Sequence, residues 1–258
     1  MSTLIRDLYG IQISEGTIAN ILERFERKAA SVYEHIRQQI FKAEVVGSDE
    51  TSANVNGSNH WLHTYQSAQW TFIGYNPSRG AIARDTFYPH GLPNAILVTD
   101  CLAMQLSTET REHQVCLSHL LRELNAMQQD YPKQGWPTQI KVLLKKAMDL
   151  KKGDYTLQQV EQIRGKFRKL LKVDQSQAPG KIEAFWKRML KHEGKIFTFY
   201  IMTMFLRITM EVKELSGTLR SNKKYPASSK HLKAPRSMHK TDQSSTRQIN
   251  KAKMSMKH

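Results

Sequence analysis

Two aspartates close short apolar runs in this chain: Asp49 in VVGSDET and Asp100 in NAILVTD. A lone acid at such a place caps a turn or a helix. Two acids that end neighbouring strands emerge at one sheet edge, where paired carboxylates bridge hard divalent cations. Mg²⁺ favours oxygen ligands and keeps positions open for water and phosphate. In a two-metal site one ion activates the attacking hydroxyl and the other stabilises the leaving oxygen, and a third carboxylate usually completes the set. Spacing alone leaves the cap and the metal site both open. Cys116 and His119, in CLSH, follow the second acid. They make half a zinc site, and no second pair lies nearby to complete it. Two readings remain: a buried cysteine with a helix-capping histidine, or a pair placed beside the acids, where His119 and Arg122 contact phosphate.

The elements that must position these residues are legible in the periodicity. LIRDLYG ends at Gly10, a helix C-cap, and Ser14 is an N-cap for EGTIANILERFERKAASVYEHIRQQI. Ile18, Ile21, Leu22, Phe25, Ala29, Val32 and Ile36 recur at helical spacing and give one apolar stripe. Helix, turn, helix is the outline of a DNA-reading motif and equally of a packing hairpin. From Ala43 the period changes to that of strands. AEVVGSDET, HWLHTYQSA and WTFIGYNPS are rich in β-branched and aromatic residues, with Asn-Gly at the first turn, and predict an antiparallel meander in which Asp49 ends the first strand.

RGAIARDTFYPHGLP holds at most a short helix. The continuous run NAILVTD predicts a strand buried on both faces, as in a parallel pair. HQVCLSHLLRELNAMQQDYP reads as a short strand running into a helix, and Gln139 to Leu190 is helical, broken at Gly153 and at DQSQAPG. Three antiparallel strands, a crossover and a parallel strand with helices outside is the order of the ribonuclease H-like α/β fold, an order that several α/β folds share. The expected organisation is a helical segment over 1–40, a catalytic core over 41–135, a helical insertion over 136–199 and a basic tail over 200–258.

Composition narrows the function classes. Forty per cent hydrophobic against 24 per cent charged residues suits a soluble globular protein. No apolar run approaches the roughly 20 residues that span a bilayer. The start MSTLIRDLYG has no basic region leading into an apolar one, and two cysteines make no disulfide framework, so the cytoplasm is the expected compartment. The net charge is +16. Residues 1–200 hold 26 Lys and Arg against 20 Asp and Glu, and residues 201–258 hold 13 against 3, so most of the excess lies in the tail. Tyr225 is the one aromatic residue in the chain's last part, after Phe205, which predicts disorder there and weakens the tail's charge as a sign of DNA binding.

Four stretches, LYGIQISEGTIANIL, VVGSDETSANVNGSNHWLHTYQSA, GLPNAILVTDC and HQVCLSHLLRELN, together resemble the central domain of bacterial transposases of the insertion sequence 66 family. The likeness runs from about Leu4 to Phe199, with the Asp-Glu-Thr, Thr-Asp and Cys-x-x-His-x-x-Arg elements in order. It implies a ribonuclease H-like nuclease with an Asp-Asp-Glu triad in which Asp49 is the first metal-binding acid and Asp100 the second. It implies Mg²⁺ or Mn²⁺ as cofactor, and as partners DNA, namely the element's terminal inverted repeats and the target. It further implies assembly as a homo-oligomer or with intact transposase. Family members carry DNA-binding and zinc-binding segments upstream of this region, which makes this chain a truncated copy.

The family's third acid lies in a motif near Asp-Asn-Asn-x-x-Glu-Arg-Ala-Ile-Arg, and this chain has none. Glu211 and Glu214 stand in roughly its place with the wrong neighbours. The genetic code explains the gap. With the frame stepped back one nucleotide, Met202 into Thr203 must encode Asp, Met204 into Phe205 Val, and Met210 into Glu211 Gly. The remaining junctions to Thr218 permit Asp-Asn-Val-Pro-Pro-Asp-Asn-Asn-Gly-Ser-Glu-Arg-Ala-Ile-Arg-Asn, which contains the missing motif. Lys224 to Arg236 permits the family's following segment in the same frame. The expectation is a frame change near Phe197 to Tyr200 that leaves the catalytic glutamate untranslated at the Val212/Lys213 junction.

Overall fold

A computed structural model describes residues 2–202. They fall into two units, 2–21 and 22–202. Glu211, Glu214 and the rest of the 203–258 segment lie outside the described residues. In the first unit, helix α1 (Ser2–Tyr9) ends at Gly10, whose φ of 67° lets its N–H return to the Arg6 carbonyl at 2.8 Å. Ser14 Oγ then accepts the Thr17 N–H at 3.0 Å, the capping bond that opens α2 (Glu15–Lys42).

The second unit is built on five strands: β1 (Val45–Val55), β2 (Ser58–Gln66), β3 (Thr71–Asn76), β4 (Leu92–Thr99) and β5 (Thr110–Val115). Their order across the sheet is β3-β2-β1-β4-β5, with β1, β2 and β3 antiparallel and β4 parallel to both β1 and β5. Asn56 and Gly57 turn β1 into β2 with φ of 53° and 82°, the left-handed pair that Asn-Gly adopts most readily.

β1 continues six residues past Asp49, because β2 pairs with it out to Val55. Asp49 is therefore mid-strand, a correction to its expected place at the strand end. Only the parallel pairing with β4 stops near it, with Gly47 opposite Val98 as its last recorded pair.

Side chains of β4 go alternately to two cores. Leu92, Ala95 and Leu97 pack with Ile40, Val46, Tyr65, Phe72 and with Phe87 of α3 (Ala81–Phe87). Ile96 and Val98 pack with Val45, Val115 and the helices that follow: α5 (Leu117–Asp130), α6 (Gly135–Lys152), α7 (Leu157–Leu171) and α8 (Gly180–Lys191). That second core is continuous from the sheet to Phe167 and Phe185, each fully buried and each contributing about 1.5–3 kcal/mol of apolar transfer. The crossover after β4 contains a one-turn helix that periodicity missed, α4 (Ala103–Leu106).

Of the stripe expected on α2, Ile36 packs against the core and most of the rest does not. Leu22, Phe25 and Val32 are exposed, at 54, 68 and 59 per cent, while Tyr33, Ile36 and Ile40 face the core. Within the second unit, the residues of this helix that join the core lie in its last turns.

Candidate active site

Val45, Gly47 and Asp49 share one face of β1, since side chains alternate along a strand; Val45 marks that face as the one covered by α5. Ile96 and Val98 mark the same face of β4, and Asp100 follows directly on the strand's last residue, Thr99. Asp49 stands two residues past Gly47 on β1 and Asp100 one residue past the end of β4, and the charges of both act on the buried groups of Cys116 and His119. The fold thus brings the two sequence-predicted acids together at the end of the parallel pairing. Each is held by its own backbone: Asp49 Oδ1 accepts the Glu50 N–H and Asp100 Oδ1 accepts the Leu102 N–H, both at 2.9 Å.

Cys116 N–H donates to the Thr99 carbonyl at 2.6 Å and ties the start of α5 to the residue before Asp100. The thiol is buried, and desolvation pushes its pKa up to about 11, so it stays a neutral thiol. His119 sits in the first turn of α5. Burial lowers its pKa, opposed by the field of Asp49, then lowered by Arg122 and raised by Asp100. Its Nδ1 is buried with no hydrogen-bond partner among the described residues, so its side chain caps nothing. Arg122 lies one turn further on, exposed. Of the two readings of Cys-x-x-His, the geometry favours placement beside the acids.

Sequence reasoning passed over Glu50. Its side chain points to the other face, is 4 per cent exposed and accepts a hydrogen bond from Gln105 Nε2 at 2.5 Å. Burial, followed by the charge of Asp100, raises its pKa to about 7, against the Gln105 bond and Arg79. The only signal in the sequence was the acid's adjacency to Asp49.

Two carboxylates on neighbouring strands suit a hard cation by donor chemistry, and they supply two of the six oxygen positions that Mg²⁺ takes. Among the described residues no group of three or more His, Cys, Asp or Glu has a metal-holding arrangement. None of their helices is long and apolar enough to cross a membrane.

A five-stranded mixed sheet flanked by helices defines an α/β protein. The family model described as transposase IS66 family matches residues 1–205. The chain accordingly belongs to the IS66 family of transposases, proteins of mobile elements. No curated protein matches it.

Proposed function

We propose that this chain is a catalytically incomplete transposase of the ribonuclease H-like class, whose ancestral reaction is metal-dependent cleavage of DNA at the element's ends followed by transfer of the freed 3′ hydroxyl to target DNA. The observation that supports this reading is the parallel pairing of β1 with β4, after whose last pair Asp49 and Asp100 each follow by two residues. The strand order β3-β2-β1-β4-β5, with antiparallel β2 and β3 on one side and parallel β4 and β5 on the other, supports the fold class. Asp49 and Asp100 would hold Mg²⁺ or Mn²⁺, which would supply charge stabilisation for phosphoryl transfer when bound. Asp49 and Asp100 orient it, and Cys116, through its bond to Thr99, fixes where Asp100 stands. His119 is neutral and offers a hydrogen bond to phosphate, while exposed Arg122 offers a charge-assisted one.

Incompleteness rests on the absent Asp-Asn-Asn-x-x-Glu motif and on the shifted frame, whose codons permit it. Reading the gene from codon 197 to codon 236 tests that directly: shifted codons that encode other residues at the permissive junctions end the frame-change reading. For the protein, a Mg²⁺-dependent assay on DNA carrying the element's ends is expected to give negligible strand transfer. Robust products that disappear in Asp49→Ala would show a complete active site. A second reading, a non-catalytic DNA-binding or interfering subunit that joins intact transposases, draws on the basic helices α6 to α8 and predicts DNA binding without cleavage.

A further inference from the structure

Glu50 and Gln105 are both 4 per cent exposed, and they meet across 55 residues of chain. Glu50 is the neighbour of Asp49 on β1. Gln105 lies on α4, which begins three residues after Asp100. Arg79 Nη2 approaches the second Glu50 oxygen at 3.7 Å, and its guanidinium lies 4.7 Å from the centre of the Trp61 ring. The other end of α4 is tied to α3: Arg84 Nη1 donates to the Met104 carbonyl at 3.3 Å and to Ser107 Oγ at 3.0 Å. The loop carrying Asp100 is thus held at α4 by two side chains, one of them on the strand of the first acid.

A buried carboxyl facing a buried amide is not what stability alone selects. Apolar residues of similar volume are commonly neutral or better at such places. The pair is also incompletely satisfied, since Gln105 Oε1 is buried without a hydrogen-bond partner among the described residues, so the amide is held through its Nε2 alone. Its one firm bond joins the segment of Asp100 to that of Asp49.

We propose that Glu50 is a positioning residue: with Gln105 it braces the Asp100 loop against β1 from the opposite face of the sheet, and so sets the separation of the two metal-binding acids. This rests on the two-acid reading of the preceding subsection. Supporting side chains of this kind, one step removed from the ligands, alter metal affinity when lost even though they never touch the ion.

The test is Mn²⁺ titration of the full chain, read by loss of the free-ion electron paramagnetic resonance signal, with thermal melting of each variant in parallel. Asp49→Ala is expected to abolish binding. Glu50→Leu and the double variant Glu50→Leu/Gln105→Leu are expected to bind about 10-fold to 100-fold more weakly while still melting cooperatively. Glu50→Gln, which keeps an acceptor for Gln105, is expected to bind within about threefold of the parent, well short of the loss that follows removal of a second-shell partner. Unchanged affinity in both leucine variants, with Asp49→Ala still abolishing binding, overturns the positioning role and leaves the two-acid reading standing. A loss in Glu50→Gln as large as in Glu50→Leu also overturns it, because Glu50 would then act through its charge. Parent protein that binds no more Mn²⁺ than Asp49→Ala overturns both.

Discussion

His63 shows how an ordinary side chain acquires a measurable consequence from its surroundings. It is 1 per cent exposed, and its Nε2 lies 3.1 Å from the Ser78 carbonyl, to which the neutral ring donates. Burial lowers its pKa from 6.5, opposed by the Ser78 bond and reinforced by Arg79. The folded protein therefore resists the proton that the unfolded chain accepts near pH 6.5, and stability contributed by the neutral ring is lost as pH falls below that value. Melting temperatures between pH 7.5 and 5.5 are expected to fall less in His63→Gln than in the parent. Parallel curves for the two would mean that His63 ionises equally in both states. Asp49 and Asp100 were legible beforehand because an acid after an apolar run is conspicuous. Glu50 was not, because nothing local distinguishes a buried glutamate from a solvated one.

Among the elements, the β5 edge is informative. An edge strand exposes unpaired backbone groups, and this one is covered by the segment 196–201. Gln114, fully buried, donates from Nε2 to the carbonyls of Ile196 and Val115 and accepts the Phe199 N–H at 2.7 Å. Thr198 Oγ1 adds a bond to the His113 carbonyl at 2.8 Å, and the Tyr200 carbonyl accepts from Lys151 Nζ and the Tyr155 hydroxyl. The chain thus remains packed against β5 and α6 through Met202, beyond the expected point of frame change. Gln114→Leu would take the Gln114 bond from the carbonyls of Ile196 and Val115, at about 1–2 kcal/mol for each. Urea unfolding is expected to show a loss of about 2–4 kcal/mol on that basis; a loss below about 1 kcal/mol would mean that the edge is held by apolar packing alone.

Charge is unevenly spread over the molecule. Residues 2–134 carry 11 Lys and Arg against 14 Asp and Glu, whereas residues 135–195 carry 15 against 6. The described excess therefore belongs to α6, α7 and α8 and the turns between them. Within α7, Val160, Ile163, Phe167 and Leu171 are buried, and Lys166, Lys169 and Lys172 are exposed with no ion pair among the described residues. If the helices bind DNA through phosphates, replacing these three lysines by glutamine is expected to weaken binding across all sequences. The slope of log affinity against log salt should fall by about 3. An unchanged slope would place the phosphate contacts elsewhere.

Local signals sufficed for much of this architecture. Ser14 and Gly10 marked helix ends, Asn56-Gly57 marked the hairpin, and the apolar run before Asp100 marked a strand covered on both faces, because caps, turns and periodicity are settled within a few residues. The motifs around Asp49 and Asp100 carried the family, and the family model then bore it out. Tertiary structure alone decided that β1 runs past Asp49, because β2 was there to pair with it. It also decided that α2 buries Ile40, half-buries Tyr33 and Ile36, and exposes Leu22, Phe25 and Val32. The meeting of Glu50 with Gln105 belongs to the same group. Contacts between residues far apart in sequence depend on strand register and packing, which no window of neighbouring residues encodes.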